Sequence, residues 1–515
     1  MAAADQATRS LSGRPAVRPP RPDTVRLALV GVVLALACGA VQLATGAWRL
    51  PLGWDETVYV SQVDPRVPDA FFSEPRARGV SWLAAPAAQL TRSVPVLRAW
   101  MLLLAATGLT LAFRPWLTLV GRRVVLLAAV LFSGLWVVQF YAGEVMPNLY
   151  VAYGALAGAG WFLHAAADRE RRRGPLCAVA LSVAFTALVR PYDGGYLALA
   201  LLAAVLAVPA RRRTRPALAV LGGLAAGVLP WVVEAYLRFG GLLERVHGAG
   251  EAQGGLSLHN ALGMNLMTLN GPLLCRPCTS GWPNPHQSAV WWLALPLLTA
   301  LGVLCATRAG RGRPALLAVW CAAALGVPYL FGIGYAAPRF LIPAYALLAL
   351  VVAECAAGAV AAARGRWRTV VVAAVAVCLG LQLWGQYGIL DRRTARQQAL
   401  RSDDQWLVAR LGEYGIRPPC TIVGDQSQPQ AFYGGCSSHA SDRRDRTATV
   451  PGIVAAARRT PLALVQSAPN PPAYARSWPG RKVVTPRTGT VWYVFLAPAP
   501  QNSPQTAPRA AGGRG

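Results

Sequence analysis

The chain has 515 residues, of which 54% are hydrophobic and only 14% are charged. Soluble domains carry about a quarter charged residues, so this composition excludes an ordinary soluble protein and indicates a polytopic membrane protein. The formal net charge of +28 comes almost wholly from arginine, because Lys482 is the only lysine. Arginines in a membrane protein report its topology, so we expect membrane lipids and not nucleic acid as partners.

The chain begins with a polar segment, residues 1–26, that is rich in arginine, alanine and proline. We expect it to be a disordered, basic, cytoplasmic tail. The apolar run Leu27–Ala47 predicts a first, uncleaved span. Further apolar segments of suitable length lie near 95–113, 124–142, 145–167, 175–190, 192–209, 217–237, 289–306, 315–334, 340–362 and 369–387. The pattern predicts about eleven transmembrane helices within residues 27–387.

Arginine clusters occupy alternate connections between these segments. With a cytoplasmic N-terminus, five clusters fall inside: Arg114 with Arg122 and Arg123, Arg169–Arg173, Arg211–Arg215, Arg308–Arg313 and Arg364–Arg368. This positive-inside pattern predicts a multi-pass protein of the plasma (cytoplasmic) membrane. Two long loops, 48–94 and 238–288, and the C-terminal part from about residue 388 then lie on the outer face.

Residues 388–497 do not have the pattern of a span. They predict a small extracytoplasmic α/β domain. Its predicted helices are Thr394–Tyr414 and Val450–Arg458, and its predicted strands are Cys420–Gly424, Leu462–Gln466, Lys482–Val484 and Thr490–Leu496. Residues 498–515 are rich in proline, alanine and glycine, so we expect a disordered tail.

Four cysteines fall in the predicted outer parts of the chain. Cys275 and Cys278 lie in the second long loop, and Cys420 and Cys436 bracket a short stretch of the C-terminal part. We expect disulfides on an oxidising face. Zinc is the alternative for Cys275 and Cys278, although no second pair of ligands is nearby.

Two adjacent carboxylates, Asp55 and Glu56, stand shortly after the first span in a chain that is poor in acids. The loop that holds them has about 47 residues, which is long for a connector. A partly desolvated carboxylate there could take a proton from a hydroxyl group, and Arg76 and Arg78 could neutralise a phosphate leaving group. The alternative is that the acids cap a helix at the membrane interface. Val80–Leu90 also predicts an interfacial helix.

Three further residues lie at predicted outer ends of spans. Glu144, close to Pro147, is a candidate second acid, with a solvated loop end as its alternative. Arg190 and Arg339 could bind a lipid phosphate, and snorkelling to the interface is the other explanation.

The layout resembles the GT-C superfamily of integral membrane glycosyltransferases, which includes protein O-mannosyltransferases and the lipid A aminoarabinose transferase. The similarity covers roughly residues 25–390. It lies in Trp54-Asp55-Glu56, in Tyr141–Pro147, in Leu188–Pro191 and in Pro338–Pro343.

The resemblance implies that Asp55 is the catalytic residue. It would orient and deprotonate an acceptor, which would displace a polyprenyl phosphate from the donor sugar with inversion. Many members carry a histidine motif later in this loop, whereas Glu74–Gly79 has no histidine here. That departure leaves the donor sugar open and suggests a distinct, actinobacterial-type subgroup.

The expected partners are a polyprenyl-phosphate-linked sugar donor and a lipid, glycan or protein acceptor. No cofactor is firmly predicted: Asp55 and Glu56 could ligate Mg²⁺ or Mn²⁺, or the arginines could suffice. A glycan ligase or polymerase is the alternative enzyme. A transporter or flippase of lipid-linked glycans is the alternative from another class, and it would favour inverted repeats and ionisable residues near the midplane.

Overall fold

The computed structural model describes residues 24–168, 170, 172–255, 258–270, 272–276, 287–440, 445–446 and 448–498. The two predicted tails, 1–26 and 498–515, lie almost entirely outside these residues, so their disorder stays a prediction. The division of the chain into domains likewise stays a prediction.

The described part of the chain is mainly helical. In chain order, the α-helices are α1 (Thr24–Thr45), α2 (Trp54–Ser61), α3 (Gly79–Leu90), α4 (Val94–Phe113), α5 (Trp116–Leu119), α6 (Arg122–Ser133), α7 (Trp136–Ala142), α8 (Pro147–Ala167), α9 (Arg173–Val189), α10 (Pro191–Val205), α11 (Thr214–Arg238), α12 (Leu242–Ala252), α13 (Leu262–Thr268), α14 (Gln287–Arg308), α15 (Gly312–Phe331), α16 (Ile342–Ala362), α17 (Arg366–Glu413), α18 (Ser427–Gly434) and α19 (Val450–Arg459). Every apolar segment predicted as a span is helical, and the helix predicted for Val80–Leu90 is present as α3.

Among the described residues, six helical stretches are long and apolar enough to cross a membrane. They are Val94–Leu119, Thr214–Arg238, Ala289–Arg308, Gly312–Phe331, Pro338–Ala362 and Arg366–Glu413. Helices α6 and α7 pass the same test together but meet at an angle of 75°. The polytopic helical class is therefore confirmed, whereas the number of eleven spans stays a prediction.

The break between α6 and α7 has a local cause. Gly134 lies at the break, and a Cβ atom there would stand 2.2 Å from Cδ2 of Leu383 in α17. Glycine next to Ser133 is a sequence at which helices readily bend. The bend lets α17 pass close to the backbone and turns α7 away from the direction of α6.

Helix α8 lies at the centre of the bundle and packs against α4, α9 and α16. Most of its residues are buried on all sides, as expected for a helix that is apolar around its whole circumference. Gly154 allows the close approach of α9, because a Cβ atom at this position would stand 2.2 Å from Oγ1 of Thr186. The N-terminus of α8 is thereby held in a fixed position at one end of the bundle.

Helix α17 is continuous over 48 residues. At 1.5 Å per residue its length is about 72 Å, more than twice the thickness of the bilayer hydrocarbon. The sequence predicts a span at 369–387 and a separate helix at Thr394–Tyr414. The structure joins them, because no proline interrupts the residues between them. The second half of α17 leads to the sheet.

Within the described residues, five strands form one mixed sheet. They are β1 (Thr421–Gly424), β2 (Ser437–Ala440), β3 (Leu462–Gln466), β4 (Gly480–Val484) and β5 (Val491–Leu496). The order is β2-β1-β3-β5-β4. Strands β2, β1 and β3 are parallel, β5 pairs antiparallel with β3, and β4 pairs antiparallel with β5. The predicted strands are confirmed, while β2 and the crossover helix α18 were not predicted.

The cysteines of the sheet form the predicted bond. Cys420 and Cys436 are joined by a disulfide with their Cα atoms 4.7 Å apart, so the starts of β1 and β2 are tied together. Cys275 is also disulfide-bonded, and its predicted partner Cys278 lies outside the described residues.

Candidate functional site

A cavity of about 770 Å³ lies where the first long loop, one end of the helix bundle and the sheet meet. Its bundle side is lined by Asp55 of α2, by Glu144 before α8 and by Arg190 before α10. It is also lined by Asp404 of α17 and by residues that follow β1. Six of the residues predicted from sequence as site candidates line this one cavity: Asp55, Glu56, Arg76, Glu144, Arg190 and Arg339.

Asp55 is held at the cavity by two arginines. Its Oδ1 accepts a hydrogen bond from Nη2 of Arg76 at 2.7 Å, and its Oδ2 accepts one from Nη2 of Arg339 at 3.0 Å. The side chain remains 28% exposed, so it can be reached from the cavity. Burial favours the neutral acid, but the guanidinium groups outweigh burial and lower the pKa of Asp55 below its ordinary value. Asp55 is therefore an ionised carboxylate at neutral pH.

The two arginines belong to a larger group that we call the cationic wall: Arg76, Arg190, Arg276 and Arg339. Nε of Arg190 lies 3.2 Å from Oδ2 of the buried Asp193. Arg276 stacks on the ring of Tyr335 at 4.4 Å. These contacts fix the guanidinium groups while leaving them on the cavity, where they favour an anion.

Glu56, in contrast to Asp55, is almost fully buried, and its carboxylate is held by neighbouring residues. Its Oε2 accepts from the backbone N–H of Gly53 at 2.9 Å, which caps α2, and its Oε1 accepts from the backbone N–H of Val145 at 2.9 Å. Arg98 and Arg401 donate to the same carboxylate. The capping alternative therefore describes Glu56 well, and its carboxylate is surrounded by four donors.

Glu144 lies in the turn between α7 and α8, where Nη2 of Arg401 donates to its Oε1 at 2.6 Å. Burial raises the pKa of Glu144 to about 7; the charge of Arg401 opposes this shift and that of Glu56 adds to it. Glu144 and Glu56 thus share one arginine that comes from α17.

Arg78, which was expected near a phosphate, points elsewhere. Its Nε and Nη2 donate to Oε1 of Glu234 at 2.8 and 2.7 Å, and its Nη1 donates to Gln62 at 2.9 Å. It lies outside the lining of the cavity as the described residues define it. Arg78 joins the first loop to α11.

Sequence reasoning missed two arginines of the site. Arg98, near the start of α4, is only 1% exposed and donates to Glu56 and to the backbone carbonyl groups of Leu50, Pro51 and Gly143. Arg401 links Glu56 and Glu144. A lone arginine inside an apolar segment was the available signal for Arg98.

The donor set around Asp55 does not fit a divalent cation. Both oxygens of Asp55 accept from guanidinium groups, and the cationic wall adds positive charge nearby. Within the described ranges, no three His, Cys, Asp or Glu side chains come together as a metal-binding group. The arginines, and not a metal ion, are the groups at Asp55 that could neutralise a phosphate.

No protein-family model and no curated protein sequence matches the chain. Its structure, with its apolar helices, is nevertheless that of a multi-pass membrane protein with the GT-C fold, as the resemblance predicted.

Two solved structures carry this assignment. ArnT from Cupriavidus metallidurans, solved with bound undecaprenyl phosphate, is similar with a TM-score of 0.65 and 14% identity over 92% of this chain and 99% of its own. The oligosaccharyltransferase AglB from Archaeoglobus fulgidus, solved with an inhibitory peptide and a dolichol-phosphate, is similar with a TM-score of 0.53 and 14% identity over 93% of this chain and 75% of its own.

Proposed function

We propose that the protein is a glycosyltransferase that moves a sugar from a polyprenyl-phosphate donor to an acceptor hydroxyl on the extracytoplasmic face, with inversion. The observation that carries the proposal is the ionised carboxylate of Asp55, which faces a large cavity between Arg76 and Arg339. The fold shared with ArnT and AglB, solved with undecaprenyl phosphate and dolichol-phosphate respectively, supports a lipid phosphate as the donor's anchor.

The cationic wall provides the site for the donor phosphate. A phosphate that enters the cavity accepts charge-assisted hydrogen bonds from Arg76 and Arg339, which now donate to Asp55. The two arginines are then shared between the phosphate and Asp55, so the pKa of Asp55 rises when the donor is bound. Donor binding thereby prepares the base.

Asp55 then acts on the acceptor. Its carboxylate accepts a hydrogen bond from the acceptor hydroxyl and takes the proton as the hydroxyl oxygen attacks the anomeric carbon. The new oxygen–carbon bond forms on the face opposite the phosphate, and the bond from the anomeric carbon to the phosphate oxygen breaks. The negative charge that develops on the leaving phosphate is stabilised by the arginines of the cationic wall.

Glu56 and Glu144, which the sequence grouped with Asp55 as catalytic candidates, have a different proposed role. Glu56 fixes the first turn of α2 by accepting from Gly53 and from Arg98. Glu144 holds Arg401 against that turn. We assign both as positioning residues that keep Asp55 at the cavity.

Transfer by the purified protein in proteoliposomes tests the proposal. Radiolabelled polyprenyl-phosphate sugars are supplied with a panel of lipid, glycan and peptide acceptors. The wild type is compared with Asp55→Asn and with Asp69→Asn, a matched change at an exposed residue of the same loop. We expect transfer by the wild type and by Asp69→Asn, and at least a hundredfold loss in Asp55→Asn. Undiminished transfer by Asp55→Asn would contradict the assignment of the base.

A further inference from the structure

A second group of the residues that line the cavity has the reverse chemistry. We call it the acidic wall and define it as Asp404, Asp425, Gln428 and Trp492, all of which line the cavity. Asp404 comes from α17, and the other three come from the sheet and its connections. One cavity is thus lined both by the guanidinium groups of the cationic wall and by carboxylate, amide and indole groups.

Helix α17 sets the spacing between the two walls. Gln397, Arg401 and Asp404 all line the cavity, because residues at such spacing lie on one face of a helix. Arg401 contacts Glu56 and Glu144 beside the first turn of α2. Asp404 lies three residues further along, about 4.5 Å toward the sheet. The acidic wall therefore begins one helical turn beyond the group that positions Asp55.

The sheet brings a typical ligand-binding edge to the same cavity. Gly424 and Asp425 end and follow β1, which lies between β2 and β3. From β1 the chain continues to β2 on one side of it and then to β3 on the other, so the order of connection reverses at β1. In sheets of this kind, ligands bind outside the carboxyl ends of the strands at such a point. Gly424 has φ +144° and approaches the carbonyl oxygen of Val465 so closely that a Cβ atom would stand 1.7 Å from it.

Two amide side chains indicate that the cavity takes a polar ligand. Oε1 of the buried Gln428 accepts from Oγ of Ser438 at 2.7 Å, so its amide nitrogen is the atom left to donate. Asn148, at the start of α8, is 1% exposed and lines the cavity. Its Nδ2 has no hydrogen-bond partner among the described residues. A buried donor without a partner is costly, and a ligand oxygen would satisfy it.

We infer that the acceptor is a neutral glycan, whose hydroxyl groups bind the acidic wall while the donor phosphate binds the cationic wall. This inference rests on the proposed function and names its acceptor class. Carboxylates accept from hydroxyl groups but repel a phosphate or a uronate. The two oxygens of a carboxylate match neighbouring hydroxyl groups on a sugar ring, and an indole such as Trp492 offers a face for stacking. A peptide segment presents fewer hydroxyl groups to such a wall.

Direct binding to the full chain in lipid nanodiscs tests the inference without turnover. The probes are neutral tetrasaccharides of hexoses or pentoses, the same compounds carrying one phosphate, and a peptide rich in serine and threonine. The wild type is compared with Asp404→Asn and with Asp391→Asn, an exposed residue of α17 outside the cavity lining. Affinity for undecaprenyl phosphate is measured in parallel and should be the same in all three proteins.

We expect the wild type and Asp391→Asn to bind a neutral tetrasaccharide at least tenfold more tightly than its phosphorylated form. Asp404→Asn should weaken binding of the neutral form about tenfold. Three results would overturn the inference: no neutral tetrasaccharide binds, the phosphorylated form or the peptide binds more tightly, or Asp404→Asn binds as the wild type does. Glycan binding without any sugar transfer would instead contradict the proposed function alone.

Discussion

Asp55 and Glu56 are neighbours in sequence with opposite surroundings. Successive residues of an α-helix point about 100° apart. Asp55 is therefore left 28% exposed at the cavity, whereas Glu56 is buried against Arg98 and Arg401. The sequence singled out the pair and left a capped helix as the alternative to a catalytic role. It could not assign the two roles, because these depend on Arg98 and Arg401, which are 42 and 345 positions from Glu56 in the chain.

Replacing Arg339 tests the cationic wall. Arg339→Gln removes a charge-assisted hydrogen bond, a contact that contributes about 1.5–3 kcal/mol. We expect affinity for polyprenyl phosphate to fall at least about tenfold. The pKa of Asp55 should rise, because one of the three arginine charges that lower it is lost. Activity depends on the ionised form of Asp55, so the acidic limb of the pH–rate profile should move to higher pH.

Arg92→Gln, at an exposed position of the first loop, is the matched control for Arg339→Gln and should leave both quantities unchanged. Equal donor affinity in Arg339→Gln and the wild type would show that the phosphate binds elsewhere.

Because the pKa of Glu144 is raised to about 7, we expect its carboxyl group to lose its proton near neutral pH. The folded protein holds this proton more tightly than the unfolded chain, where the carboxyl has its ordinary value of 4.5. This group therefore lowers stability as the pH rises from about 4.5 to about 7. Infrared spectra of the folded protein should show a protonated carboxyl that is present at pH 6, absent at pH 8 and missing in Glu144→Gln. Identical spectra of the wild type and Glu144→Gln would contradict the assignment of this proton to Glu144.

At the scale of elements, α17 joins the bundle, the first turn of α2 and the sheet. The sequence predicted both halves of this helix but not their continuity. Arg401 was missed because it is one of several arginines on a polar helix, and nothing local distinguishes it. Its role arises only where α17 passes α2 and the turn before α8.

Arg401→Gln tests that connection. The change leaves Glu56 and Glu144 buried with one positive partner fewer, and breaking a buried pair costs about 3–5 kcal/mol. We expect a lower midpoint of thermal unfolding in detergent than for the wild type. Arg396→Gln, at an exposed position of the same helix, should unfold as the wild type does. A wild-type midpoint for Arg401→Gln would mean that the connection is not needed for stability.

Helix α18 and strand β2 show a second limit of the sequence. The strand is four residues of Ser, Ser, His and Ala, so it lacks the apolar pattern that identified β1 and β3. It forms because β1 provides a parallel edge and the Cys420–Cys436 disulfide ties the two starts together. Tertiary pairing therefore overrides the weak local preference.

At the scale of the whole molecule, the cavity is lined by arginines from the bundle and by carboxylates from α17 and the sheet. The sequence predicted the outer acids and arginines of the bundle, because positive-inside topology orders the loops. It could not bring the sheet to them, since that docking depends on contacts such as the hydroxyl of Tyr433, which accepts from the backbone N–H of Leu52 at 2.6 Å. Once docked, the sheet and its connections contribute Asp425, Gln428 and Trp492 to the lining of the cavity.

The most direct measurement is a single-turnover experiment on protein already loaded with its polyprenyl-phosphate sugar donor. Rapid addition of acceptor separates the chemical step from donor binding. For Asp55→Asn we predict a rate at least about a hundredfold below that of the wild type, with donor affinity equal or higher because a competing anion has been removed. A rate within tenfold of the wild type, or a loss explained by weaker donor binding, would contradict Asp55 as the base.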